Sequence, residues 1–133
     1  MQARYSDYRE RVFGSRGELQ YELATREYSQ RVPKGRPSLS NLFALREMQR
    51  GSLSLKQGTL KVASATVHFQ RAYYQDGQLV MSETEVTLPE GRLQAMSLRF
   101  DPVHQVLEAP RAMLVSFSGE VMGQYRHYRT SLR

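Results

Sequence analysis

Few residues in this 133-residue chain have types and spacing suited to bond chemistry. Glu83 and Glu85 alternate in SETEV. On an extended strand they share a face, where they could act as a carboxylate pair in acid–base work. The same spacing also describes a solvated strand face, which is the more ordinary outcome. His68 sits between Val67 and Phe69, so it points away from both. His104 lies in a turn and His127 in a basic tail, and neither has a carboxylate or serine at a familiar spacing. There is no cysteine, which excludes a disulfide framework, a thiolate metal site and a thiol nucleophile. Glycine-rich phosphate loops are absent as well. We expect no catalytic residues, no metal site, no cofactor and no enzymatic activity.

Charge is the second chemical feature. Lys plus Arg is 19 against 13 acids, a net charge of +6, and all but Lys34, Lys56 and Lys61 are arginines. The guanidinium fork suits phosphate and carboxylate partners. The cations gather in a basic loop, residues 31–37, and in the tail QYRHYRTSLR, where Tyr125 and Tyr128 interleave with Arg126, Arg129 and Arg133. Arginine with tyrosine serves single-stranded nucleic acid and anionic headgroups alike. A frayed terminal strand with solvated arginines would have the same composition.

The elements that carry these residues repeat with period two. Leu19, Tyr21 and Leu23 fall on one face of 18–28. Residues 53–69 alternate with breaks: Leu53 and Leu55, then Leu60 and Val62, then Val67 and Phe69. Further apolar sets are Leu79 and Met81, Val86 and Leu88, Met96 with Leu98 and Phe100, and Met113 with Val115 and Phe117. Turn-forming clusters separate them: Ser15-Arg16-Gly17, Gln57-Gly58, Gln75-Asp76-Gly77, Pro89-Glu90-Gly91, Asp101-Pro102 and Ser118-Gly119. This spacing predicts an antiparallel all-β fold in a single domain over 1–133, with little or no helix. Residues 38–50 also fit a helix by period, and we read them as strand.

A strand set of this kind must cover its apolar faces. Two facing layers would give a packed core, whereas a sheet folded like an open taco would line a greasy groove.

The stretch RVFGSRGELQYELATREYSQ at 11–30 resembles the opening motif of the LptC family, periplasmic subunits of the lipopolysaccharide-transport machinery. Gly17, Leu19, Tyr21, Leu23, Ala24 and Tyr28 fill that motif. Val62, Ala65 and Val86 resemble the family's next strand and hairpin, and the likeness spans about 11–120. Bridge proteins of LptA type share the architecture.

The resemblance implies an antiparallel β-jellyroll, or taco, open along one side. Lipopolysaccharide acyl chains would lie in its groove. The lining residues would be Leu19, Tyr21, Leu23, Val62, Val67, Phe69, Met81, Val86, Leu98, Phe100, Val115 and Phe117. Edge strands carrying Tyr8, Val12 and Phe13 at one end, and Val121 and Tyr125 at the other, would meet the inner-membrane ABC exporter's periplasmic domains and an LptA-like bridge jellyroll. Homodimers through the same edges fit this scheme. It places the domain in the periplasm, held at the inner membrane by a segment missing from this chain, with no nucleic acid as partner. The rival expectations are a basic β-domain that binds nucleic acid or another polyanion, and a closed-core strand-pairing adaptor.

Overall fold

A computed structural model describes residues 2–31 and 53–132. The described residues form ten strands and no helix. They are β1 (Gln2–Phe13), β2 (Leu19–Arg31), β3 (Leu53–Val62), β4 (Ala65–Gln75), β5 (Gln78–Leu88), β6 (Gly91–Asp101), β7 (Val106–Ala109), β8 (Ala112–Val115), β9 (Val121–Tyr125) and β10 (Tyr128–Ser131). All pairings are antiparallel, in one sheet ordered β1-β2-β3-β4-β5-β6-β7-β10, with β8 beside β6 and β9 beside β8. Among the described residues β1 pairs only with β2, so the sheet does not close into a barrel. It is the antiparallel all-β fold that the alternation predicts, open along one side as the resemblance implies.

The sheet folds over on itself. The rings of Tyr21 on β2 and Phe100 on β6 meet edge to face with centroids 5.9 Å apart. These strands are four places apart in the sheet order, so the contact crosses the interior. One buried apolar cluster runs from β2 through β8. On each side of one slip, its members alternate along their strands, as a pleated element with one dry face requires.

The alternation slips once in each long strand, at a common level. Buried positions run Tyr21, Leu23, Thr25 and then Tyr28 and Gln30 in β2. They run Leu53, Leu55 and then Leu60, Val62 in β3, and Leu79, Met81 and then Thr84, Val86 in β5. The skipped level is Asp7, Arg26, Gln57, Gln70, Glu83 and Met96, one residue on each strand from β1 to β6. Asp7, Gln57 and Glu83, on alternate strands, take left-handed φ values of 52°, 53° and 53°. The register continues unbroken past this level, so the fault is a crease across the whole sheet rather than six unrelated bulges. Buried hydroxyls brace it: Thr25 Oγ1 donates to the carbonyl of Lys56 at 2.9 Å, and Thr84 Oγ1 to that of Ala95 at 2.7 Å. Gly58 lets the strands approach here, since a Cβ on it would lie 2.4 Å from the Ala24 carbonyl oxygen.

The crease corrects several sequence expectations. Gln57-Gly58 is not a turn but the middle of β3. The actual β3–β4 reversal is at Ala63-Ser64, with Ala63 at φ 52° and neither glycine nor proline to announce it. Met96 does not join Leu98 and Phe100: it lies on the skipped level and is 74% exposed. The basic loop beyond Arg31 and the stretch 38–50 lie outside the described residues. The arginine-rich tail supplies the end of β9 and all of β10, with Arg126-His127 between them.

Candidate functional site

The twelve residues expected to line a groove fall mostly on the interior face of the folded sheet. Nine of its twelve residues gather there: Tyr21, Leu23, Val62, Val67, Phe69, Met81, Val86, Leu98 and Phe100 are all 3% exposed or less. They pack against one another and against residues that the proposed lining had left out, such as Tyr28, Leu53, Tyr74 and Leu107. The lining residues expected at the sheet margins do not join them. Leu19 opens β2 straight after the turn and is 45% exposed, and Phe117 occupies the β8–β9 turn at 55%. Val115, beside the register shift at the end of β8, is half-buried and outside the cluster. Alternation assigns a face but not a distance from the strand end, and these three lie at or beyond strand ends.

The margins of the fold carry their own apolar groups. Tyr8 and Val12 on β1, Leu114 on β8, Tyr128 on β10 and Leu132 are partly buried against the core. Tyr8 and Tyr28 stack with centroids 4.1 Å apart, and Tyr5 packs on both rings. Tyr8 donates its hydroxyl to Glu10 Oε1 at 2.9 Å, and Tyr28 to Gln30 Oε1 at 2.6 Å. Burial first, then the Glu10 carboxylate, pushes the Tyr8 phenol well above its usual range. Burial and the neighbouring Tyr8 do the same at Tyr28. Both phenols therefore stay neutral hydrogen-bond donors.

Among the described residues, two ends of the sheet present strands paired on one side only. One is β1, where Phe13 is 58% exposed. At the other end β9 pairs with β8 alone and β10 with β7 alone, and Val121 and Tyr125 on β9 are 57% and 38% exposed. Unpaired edges of this length are templates for strand addition.

The polar candidates lie elsewhere. Glu83 and Glu85 are on the outer face, where Glu85 approaches Arg92 at 3.8 Å. His68 is exposed beside them. The other two histidines do meet carboxylates, contrary to the reading from spacing. His104 Nδ1 is 2.8 Å from Asp101 Oδ2 within the β6–β7 turn, and His127 Nε2 is 3.1 Å from Glu108 Oε1 across the β10–β7 pairing. Partial burial would raise the Asp101 pKa. The bonds it accepts from His104 and from the backbone N–H groups of His104 and Val103 outweigh that and hold it below the usual carboxylate value. Among the described residues no three metal-ligating side chains converge. No family model matches the sequence, and no curated protein matches it.

Proposed function

We propose that the chain is a lipopolysaccharide-transport module of LptC type, which takes acyl chains between the two layers of its folded sheet. The observation that carries this reading is a continuous apolar face, from β2 to β8, on a sheet that never closes. A barrel of this size would fix its interior, whereas an open fold can part along its margins. The side chains at those margins, Tyr8 and Val12 on one and Leu114 and Tyr128 on the other, are apolar and only half-buried.

Because the nine gathered lining side chains are at most 3% exposed, a guest enters only as the layers part. Each acyl methylene taken out of water contributes about 0.8 kcal/mol, and it displaces side-chain contacts of similar kind. Binding is then strong enough to hold the lipid and reversible enough to release it. Directional flow comes from ATP hydrolysis upstream, in the inner-membrane ABC exporter. The domain itself breaks no bond and needs no cofactor. In this scheme it works in the periplasm, held at the inner membrane by a segment outside this chain. Edge β1 receives the exporter's periplasmic domain, and the β9–β10 end receives an LptA-like bridge jellyroll. Phosphorylated sugars stay outside, where arginine suits them.

One observation favours a second reading. Burial of those nine side chains to 3% or less also describes a solid core, and the domain would then be a strand-pairing adaptor without a guest. A photo-crosslinking residue placed at Phe69 or Met81 in cells separates the two. The transport reading expects lipopolysaccharide adducts at both positions. No adduct at any inward position, with the edges still capturing their partners, leaves the adaptor.

A further inference from the structure

The crease does not stop at β6. Gln94 with Met113 and Arg99 with Glu108 belong to one register, so β7 and β8 are successive parts of one strand, interrupted at Pro110-Arg111. Ala109 with Tyr128 and Ala112 with Tyr125 likewise make β9 and β10 parts of one strand, interrupted at Arg126-His127. Met96 of the skipped level therefore stands opposite Arg111, and Arg111 opposite Arg126. Ala109 and Ala112, on either side of the first break, are 0% and 7% exposed, while Pro110, Arg111, Arg126 and His127 are all exposed. The two bends thus face each other at the edge of the sheet. Their arginines line one hollow, together with Met96, Pro110 and Ala112.

From this arrangement we infer that Arg111 and Arg126 form a binding site for a phosphomonoester dianion on a small apolar carrier. Like charges directly opposite on paired strands repel. Among the described residues neither arginine has a carboxylate partner, whereas Arg11, Arg92 and Arg129 do. Glu108, three residues along the strand from Arg111, is engaged by His127 at 3.1 Å and Arg129 at 3.8 Å. Among the described residues no backbone hydrogen bond joins the two bends, so their N–H groups are not spent on each other. Two guanidinium forks match a phosphomonoester, whose charge is about −1.5 to −2, better than they match a singly charged carboxylate. Met96, 74% exposed on the neighbouring strand, offers the carrier an apolar surface. A nucleic acid or other polyanion fits less well, because Glu83 and Glu85 line the same hollow. Glu83 stands two strand spacings from Arg111, ~10 Å, which is about a Debye length. It therefore spares a single dianion at the rim while opposing a chain of phosphates. The site is outside the apolar interior, so it stands whether or not that interior takes a guest.

The test is an amide NMR titration of the full chain, at physiological salt, with phenyl phosphate and with phenyl sulfate as its singly charged isostere. Phenyl phosphate should give saturable shifts confined to 95–97, 110–113 and 125–128, and phenyl sulfate should bind at least tenfold more weakly. Arg111→Ala and Arg126→Ala, both at exposed positions, should each weaken phenyl phosphate at least tenfold without changing the thermal unfolding curve. Arg9→Ala removes the same charge from an exposed position on β1 and should leave the affinity unchanged. Vesicles of phosphatidylcholine, with and without phosphatidic acid, then separate two sources of the phosphate. Association that requires phosphatidic acid and both arginines assigns a lipid headgroup, and its absence assigns a free phosphomonoester. No saturable shift at these residues with phenyl phosphate overturns the inference. So does equal binding of phenyl sulfate, or a loss with Arg9→Ala as large as with the two hollow variants.

Discussion

Gly58→Ala tests the crease most severely. The added Cβ would lie 2.4 Å from the Ala24 carbonyl oxygen, 2.7 Å from Phe69 Cζ and 3.0 Å from Thr25 Cα. Two of these three atoms are backbone, and Phe69 is 2% exposed inside the core, so none can move freely. Strands β2 and β3 must separate at the point where Thr25 bridges them. Overpacking of this kind costs ~1–3 kcal/mol, and loosening the Thr25–Lys56 bond adds ~1 kcal/mol. The entropy that alanine removes from the unfolded chain returns ~0.4–1 kcal/mol. The net loss is ~1–3.5 kcal/mol, which for a chain of this length lowers Tm by about 4–13 °C. Gly77→Ala is the control. It has φ +77° with nothing within 4 Å of its Cβ, so it suffers backbone strain alone, ~1 kcal/mol. Urea unfolding followed by far-ultraviolet circular dichroism measures both variants. A loss at Gly58 below ~0.5 kcal/mol, or smaller than that at Gly77, refutes the close approach of strands at the crease.

The remaining predictions address the phase slip and the β6–β7 turn. Leu98→Ala, fully buried, should cost ~2–5 kcal/mol, while Met96→Ala, two residues away and 74% exposed, should stay within ~0.5 kcal/mol; equal losses in the same unfolding assay contradict the slip. Asp101→Asn should cost ~1 kcal/mol at neutral pH, because the lowered Asp101 pKa means the charged form is bound better in the folded state. That contribution is present above the ordinary Asp value of ~3.9 and is lost as pH falls through the lowered folded value, so stabilities of the two proteins measured across acid pH should converge.

Much of the fold was legible because a half-buried strand writes its face into every second residue. Leu79 with Met81, and Val86 with Leu88, are seen to be inward without any coordinates. The turns at Asp76-Gly77 and Ser118-Gly119 were equally plain, since glycine takes up the positive φ there. The crease was not legible as such. A one-residue slip inside an unbroken strand looks like a strand end, so Gln57-Gly58 passed for a turn and Met96 for a core residue. Its left-handed positions are Asp7, Gln57 and Glu83 rather than glycines, and nothing in their identity marks them. His127 met Glu108 for a similar reason: the contact depends on β10 returning to β7, a topological fact with no local signal.

The central claim is that a fatty guest shares the interior with these side chains. A stearate carrying a nitroxide near its methyl end reports this directly when added to the methyl-labelled protein. The account predicts saturable broadening of the Leu23, Val67 and Leu98 methyls, which are 0% exposed, while Val103 and Val121 on the surface stay sharp. Broadening restricted to Val103 and Val121, with the interior methyls untouched at saturation, would contradict it.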